Sequence, residues 1–148
     1  MEAKKVIVYR FSSMGDVVLS TAVLQPLIES GYRVLFVTKK AFAPLLENIP
    51  GVEVFTHESG NEAQALLAYE ERILNENFSF ALDLHDSWRS WRWRKKLNCP
   101  VYVAKKERLR EWAIFFFSKK FSFGAGGRAK KYFQLAEQAL MDNGIIAK

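Results

Sequence analysis

Short apolar runs alternate with longer segments of helical periodicity along this chain. The apolar runs fall at residues 4–11, 33–38, 52–55, 78–84 and 100–103. The second run is apolar at every position from Val34 to Val37, which suits a parallel strand buried on both faces. Between the first two runs, apolar residues from Val17 to Ile28 recur at helical spacing. The alternation predicts an α/β fold with a doubly wound, mostly parallel sheet of at least five strands.

Two residues are expected to shape the first helical segment. Gly31 stands where a C-terminal cap belongs, because glycine readily takes the left-handed backbone conformation of that position. Pro26 has no backbone N–H to donate and its ring crowds the preceding turn. We therefore expect Pro26 to kink this helix or to split it in two.

The basic residues are concentrated in one part of the chain. The length of 148 residues suits a single domain over 1–148. Residues 86–131 hold 14 Lys or Arg against 3 acids, whereas the rest holds 8 against 13. This asymmetry indicates an anionic partner: nucleic acid, an anionic membrane surface or a phosphorylated substrate. Nucleic acid is not expected, because no RNP, zinc-finger or helix-turn-helix pattern is present.

The basic part also contains all four tryptophans: Trp88, Trp91, Trp93 and Trp112. The tract 88–96 alternates Trp or Ser with Arg and Lys, which suits an amphipathic helix lying on a membrane surface. A solvated basic face with its tryptophans packed inward is the alternative. No apolar run approaches the ~20 residues of a membrane span, and the N-terminus has no signal-peptide pattern. A single cysteine, Cys99, excludes an internal disulfide and fits a reducing compartment.

The loop after the first strand is the first candidate site, because ligands of open α/β sheets bind beyond the carboxyl ends of the strands. It contains neither GxGxxG nor GxxxxGK[ST], so no dinucleotide or P-loop fingerprint is present. Ser12 and Ser13 offer hydroxyls, and Gly15 permits a close backbone approach or a φ that a side chain would forbid. Spacing alone favours a capping role for Asp16, with Ser13 as N-cap, over a catalytic role.

Three segments of the chain resemble a known family. Residues 9–21, YRFSSMGDVVLST, strongly resemble the opening of the lipopolysaccharide heptosyltransferases, the ADP-heptose-using glycosyltransferases of family 9, which reads roughly R-x-S-S-x-G-D-V-[VL]. Residues 81–90, ALDLHDSWRS, are similar to the family's D-L-H-x-x-x-R-S segment, and residues 39–46, KKAFAPLL, resemble a third landmark. Weaker likenesses at 108–117 and 128–135 extend the resemblance over essentially the whole chain.

The resemblance implies a Rossmann-like domain that forms the N-terminal, acceptor-binding half of a GT-B fold. Nothing in the chain matches the family's C-terminal nucleotide-sugar domain, so we expect a donor such as ADP-heptose to bind a missing domain on this or a partner chain. The implied acceptor is an acidic glycolipid of the lipid A/Kdo type, and no further cofactor is implied. That acceptor places the protein in the cytoplasm, peripherally at the inner face of the inner membrane. Arg128 stands where members often have His, and Ala22 where many have Pro.

The same resemblance assigns roles to individual residues. Transfer would invert the configuration at the sugar carbon and would need no metal. Asp16 would be the general base that accepts the proton of the acceptor hydroxyl. No metal site is expected, because no second His or Cys lies at ligand spacing from His85. The acceptor would be bound by Ser12, Ser13, Gly15, Asp83, His85, Arg89, Arg108 and Arg110.

Several of these roles have alternatives. Arg89 could hold a phosphate or carboxylate in a bidentate fork, with Arg108 and Arg110 as second-rank candidates. Asp83 could equally be a turn acid bonded to nearby backbone N–H groups, and His85 an ordinary loop histidine. For the chain as a whole, the alternative is a non-catalytic glycolipid-binding remnant or a subunit of a split enzyme.

Overall fold

The computed structural model describes residues 4–105 and 125–144. The sequence also predicts a helix over 107–119, and that segment lies outside the described residues. The strands are β1 Lys5–Tyr9, β2 Arg33–Lys39, β3 Val52–His57, β4 Phe80–Asp83 and β5 Val101–Val103. The α-helices are α1 Met14–Ser20, α2 Leu24–Glu29, α3 Glu62–Leu74, α4 Trp88–Arg94 and α5 Ala125–Asp142. Two 3₁₀ helices span Thr21–Val23 and Lys40–Leu45.

The five strands form one sheet in which every pairing is parallel, in the order β3-β2-β1-β4-β5. In the central strand, Val8 lies opposite Phe36 of β2 and Leu82 of β4. The predicted fold class, a doubly wound parallel sheet of at least five strands, is confirmed. The strand order reverses between β1 and β4, so the connections leaving these neighbouring strands diverge. Such a switch point is where open α/β sheets bind ligands.

Helices cover both faces of the sheet. Alternate residues of β1 point to opposite sides, as the two-residue period of a strand requires. Val6 and Val8 pack on one face, in a cluster with residues of α1, α2 and α5. Ile7 and Tyr9 pack on the other face, in a cluster with residues of α3 and α4. Burial on both sides explains why the strands read as continuous apolar runs rather than as an alternating pattern.

The first helical segment is broken as the sequence predicts. Because Pro26 can donate no hydrogen bond to the turn before it, α1 passes into the 3₁₀ turn Thr21–Val23 before α2 begins. Gly31 follows α2 with φ of +84°. Its N–H donates to Ile28 O at 2.9 Å, and the N–H of Tyr32 donates to Leu27 O at 3.1 Å. This is the Schellman arrangement, and it confirms the predicted cap.

His57, the last residue of β3, is enclosed by aromatic rings. Its ring centroid lies 4.7 Å from that of Phe11 and 5.5 Å from that of Trp93. Neither ring nitrogen has a hydrogen-bond partner among the described residues, and the side chain is almost wholly buried. Burial lowers the pKa of this imidazole below its usual 6.5, although the charge of Glu62 acts in the opposite direction. The folded protein therefore favours the neutral form of His57.

The substitution His57→Phe should flatten the dependence of stability on pH. Neutral His57 stabilises the fold fully above about pH 6.5, which is the pKa of a histidine in the unfolded chain. This stabilisation is lost as the pH falls towards the lower pKa of His57 in the folded protein. Phe keeps the aromatic packing and does not titrate. Between pH 7.5 and 5.5 in calorimetric melts, we expect the Tm of the variant to fall less than that of the wild type. Equal falls in Tm would contradict a buried, neutral His57.

Candidate functional site

The carboxyl ends of β1 and β4 bring the first loop next to the turn that follows β4. Ser13 occupies the N-cap position of α1, with extended backbone at φ −83° and ψ 179°, and its carbonyl accepts from Val17 N at 2.9 Å. Asp16 lies in the first turn of α1, with its side chain mostly buried. The acid is therefore held at the switch point of the sheet.

Both carboxylate oxygens of Asp16 are engaged by guanidinium groups. Oδ1 accepts from Arg128 Nη1 at 2.7 Å, and Oδ2 accepts from Arg10 Nη2. The Ser13 hydroxyl donates to the same Oδ2 at 3.2 Å. Arg128 belongs to α5 and stands 112 residues further along the chain, so only the tertiary fold brings it to this loop.

The two arginines differ in how firmly they are held. The side chain of Arg10 is 6 % exposed, and its Nη1 donates to the carbonyl of Leu84, just beyond β4. The backbone N–H of Arg10 donates to Val37 O at 3.1 Å. The Arg128 side chain is 46 % exposed. Arg10 is thus a fixed counter-ion that ties β2, β4 and Asp16 together, whereas Arg128 covers the acid from the solvent side.

The net effect of these contacts is to lower the pKa of Asp16. Burial acts to raise the pKa of the carboxyl, but the hydrogen bond from Arg128 and the charges of Arg10 and Arg128 outweigh it. Opposite charges within hydrogen-bond distance stabilise the ionised form. Asp16 is therefore an anion at neutral pH and can accept a proton, although less readily than an unpaired carboxylate.

The structure also bears on the alternatives for Ser13 and Gly15. Ser13 is the N-cap by position, but its side chain makes no capping hydrogen bond to the helix. Its hydroxyl is used on Asp16 instead. Gly15 has no positive φ, so the suggestion that it takes a forbidden backbone conformation is wrong. Among the described residues outside its own helix, no atom lies within 4 Å of the position that a Cβ of Gly15 would occupy, so the start of α1 is accessible there.

Asp83 is wholly buried at the end of β4 and organises the turn beyond it. Its Oδ1 accepts from the backbone N–H groups of His85 and Asp86, each at 2.9 Å. Its Oδ2 accepts from Arg94 Nη1 at 2.7 Å. These are the contacts of a turn acid, and its role towards a ligand stays a prediction. The imidazole of His85 is buried, and its ring centroid lies 5.0 Å from the ring centroid of Phe11.

The remaining predicted acceptor residues are spread more widely. Ser12 is half-buried in the loop before Ser13. Arg89 points towards α3, where its Nη1 lies 3.5 Å from a carboxylate oxygen of Glu62. Arg108 and Arg110 lie outside the described residues. The structure thus brings Ser13 to Asp16 and groups Asp83 with His85, while Arg89 pairs with Glu62 of α3.

Sequence reasoning missed the two residues that hold Asp16. Arg10 was visible as a charged residue at the end of an apolar strand, inside the motif that carries the resemblance. Arg128 stands where members of the family often have His, and no local signal in the sequence connects it with a residue so far away. Arg94 was likewise not singled out as the partner of Asp83.

Two further observations concern only residues 4–105 and 125–144. Within them, no cluster of three or more His, Cys, Asp or Glu side chains is arranged to hold a metal ion. None of the helices there combines the length and the apolar character that crossing a membrane requires.

Solved structures of glycosyltransferases have a similar fold. The heptosyltransferase WaaC of E. coli with ADP-2-deoxy-2-fluoro heptose matches with a TM-score of 0.69 and 17% identity, over 93% of this chain and 48% of that one. WaaC with ADP matches with a TM-score of 0.66 and 17% identity, over 92% and 47%. A family 9 glycosyl transferase from Veillonella parvula DSM 2008 matches with a TM-score of 0.67 and 18% identity, over 97% and 42%.

No family model matches the sequence, and no curated protein is similar to it. The chain spans about half the length of the glycosyltransferases that it matches in structure. At these identities the likeness establishes the fold: the chain has a Rossmann-like α/β domain similar to about half of a heptosyltransferase.

Proposed function

We propose that this chain is the acceptor-binding half of a glycosyltransferase of the heptosyltransferase type. It would serve transfer of a heptose or related sugar from a nucleotide sugar to the inner core of lipopolysaccharide. The observation that carries the proposal is Asp16, a buried, ionised acid at the switch point of a fold similar to half of WaaC. The opening motif around Asp16 supports the same assignment.

In the proposed reaction Asp16 acts as a general base. An acceptor hydroxyl attacks the anomeric carbon, the bond from that carbon to the nucleotide phosphate breaks with inversion, and the hydroxyl proton passes to Asp16. A carboxylate with a lowered pKa cannot ionise a sugar hydroxyl in advance, so the proton moves late, as the new bond forms. The nucleotide leaves as its diphosphate anion, and the proposed scheme routes no step through a metal.

The acceptor in this proposal is an acidic glycolipid of the lipid A/Kdo type at the cytoplasmic face of the inner membrane. Arg128 supports an acidic acceptor, because it is a half-exposed guanidinium beside the proposed base. A guanidinium in that position can hold a carboxylate or phosphate in a bidentate fork. The space beside Gly15, which no atom of residues 4–105 or 125–144 fills, would admit the sugar that carries the reacting hydroxyl.

A second function, glycolipid binding without transfer, has one observation in its favour. Both oxygens of Asp16 are occupied by guanidiniums, and an acid paired in this way serves well as a structural anion. On this alternative the chain would bind the acidic glycolipid but would support no reaction with any donor domain.

The substitution Asp16→Asn should abolish most of the transfer. The chain, joined to the nucleotide-sugar domain of a heptosyltransferase, would be assayed with ADP-heptose and a Kdo-lipid A acceptor. Because the amide cannot accept the proton, we expect kcat to fall by about 10²–10⁴-fold, while acceptor binding by calorimetry changes little. The control is Glu29→Gln, which neutralises an exposed acid on α2 without touching Asp16. Acceptor binding without transfer by the unsubstituted fusion would favour the binding function, and undiminished transfer by the Asn variant would exclude Asp16 as the base.

The substitution Arg128→Gln should raise the pKa of Asp16. It removes one hydrogen bond and one nearby positive charge from the carboxylate and leaves its contact with Arg10 in place. A titration that follows the side-chain carboxyl carbon of Asp16 by ¹³C NMR measures the change. Lys130→Gln is the matched control, because it removes the same charge from an exposed position two residues further along α5. If both variants titrate like the wild type, Arg128 does not set the basicity of Asp16.

A further inference from the structure

Helix α4 presents two of its three tryptophans to the outside. The side chains of Trp88 and Trp91 are 63 % and 49 % exposed, whereas Trp93 is 4 % exposed. Trp93 packs inward against Tyr69 at 4.8 Å and Phe11 at 5.6 Å between ring centroids. Of the two interpretations that the sequence allowed, inward packing therefore holds for Trp93 alone.

The outward tryptophans share one side of the helix with two cations. At about 100° per residue, Trp91, Lys95, Trp88 and Arg92 fall within an arc of about 100°. Lys95 Nζ lies 4.4 Å from the centroid of the Trp91 ring, and the Arg92 guanidinium lies 5.7 Å from that of Trp88. These four residues form a continuous aromatic and basic surface, referred to below as the α4 surface.

The charge of the α4 surface is not neutralised by acids in the described part of the chain. The other cations of this segment have carboxylate partners: Arg89 with Glu62, Arg94 with Asp83 and Lys96 with Glu70. Arg92 and Lys95 contact tryptophan rings instead. Within the part of the chain that the structure describes, the surface therefore combines exposed indole rings with two cations that have no carboxylate partner.

We propose that the α4 surface binds the headgroup region of an anionic lipid bilayer. Indole rings are favoured at the membrane–water interface, where the ring is shielded from water and its N–H stays hydrated. Arg and Lys beside them are attracted to anionic lipid. A convex helix face can lie flat on a bilayer, whereas single-stranded nucleic acid is usually held in a groove that follows its backbone.

The position of α4 adds a consequence for the site. The helix begins five residues after Asp83 ends β4, at the same edge of the sheet as Asp16. Binding through α4 would therefore bring that edge towards the lipid headgroups. The membrane contact itself stands on the α4 surface and does not require the transfer reaction.

Sedimentation of the full chain with lipid vesicles tests the proposal. Vesicles of equal phosphatidylglycerol and phosphatidylcholine should bind the chain, and vesicles of phosphatidylcholine alone should bind it far more weakly. Trp88→Ser with Trp91→Ser should reduce the partition coefficient by roughly tenfold or more, through lost apolar contact. Arg92→Gln with Lys95→Gln should reduce it by about 30-fold at low salt, since each cation near the surface contributes about 1 kcal/mol.

Two double variants serve as controls. Leu67→Ser with Leu74→Ser removes exposed apolar side chains from α3, and Arg33→Gln with Lys130→Gln removes two exposed charges elsewhere. The leucine variant should leave vesicle binding within about twofold of the wild type. The charge variant lowers the net charge by two, as Arg92→Gln with Lys95→Gln does, and should also stay within about twofold, because its charges lie outside the α4 surface. Circular dichroism checks that each variant is folded.

Three outcomes would overturn the proposal. The folded wild type could fail to sediment with the anionic vesicles, or the α4 and control variants could lose binding equally. The chain could also bind a poly(U) oligonucleotide and fail to bind vesicles. If Trp88→Ser with Trp91→Ser then abolished the poly(U) binding, the α4 surface would be an RNA-binding surface. Transfer activity enters none of these measurements, so the membrane contact and the proposed reaction can fail independently.

Discussion

The buried guanidinium of Arg10 needs hydrogen-bond acceptors around it, and the contacts that meet this need join the end of β4 to the start of α1. Removing such a cation from water is costly unless charge and hydrogen bonds compensate for it. The compensation comes from the Leu84 carbonyl beyond β4 and from the Asp16 carboxylate at the start of α1. The orientation of the first helix and the end of β4 are thereby fixed relative to each other. Asp16 lies where it does because Arg10 is buried beside it.

This arrangement depends in turn on the central position of β1. With β2 on one side and β4 on the other, the residue that follows β1 emerges between two strand ends whose connections diverge. An apolar residue there would close the crevice with hydrophobic packing. A charged residue makes the crevice polar. The fold therefore creates a charged, mostly buried position at the switch point of the sheet.

The elements that sequence reasoning predicted correctly have local causes. Continuous apolar strands follow from burial on both faces, and the break of the first helix follows from the missing N–H of Pro26. After β2 the sequence predicts a short helix over 41–47, and the structure has there the 3₁₀ helix Lys40–Leu45, which contains Pro44. The pairing of Arg128 with Asp16 could not be predicted, because it spans 112 residues and arises only when α5 packs. The different orientations of Trp88 and Trp93 also depend on where α4 meets the sheet.

The unequal exposure of the two arginines matters for the proposed chemistry. A base that pairs with two cations is well positioned but weak, since each cation favours the ionised form of Asp16 over the protonated form. Arg10 is buried together with its hydrogen-bond acceptors, whereas the side chain of Arg128 is half-exposed and accessible to an anion from solution. An acidic acceptor that bound the Arg128 guanidinium in place of Asp16 would gain a charge-assisted hydrogen bond. The same exchange would raise the pKa of Asp16 and so make it a stronger base. Because such coupling is reciprocal, any change that makes Asp16 easier to protonate would also make Arg128 more available to the acceptor.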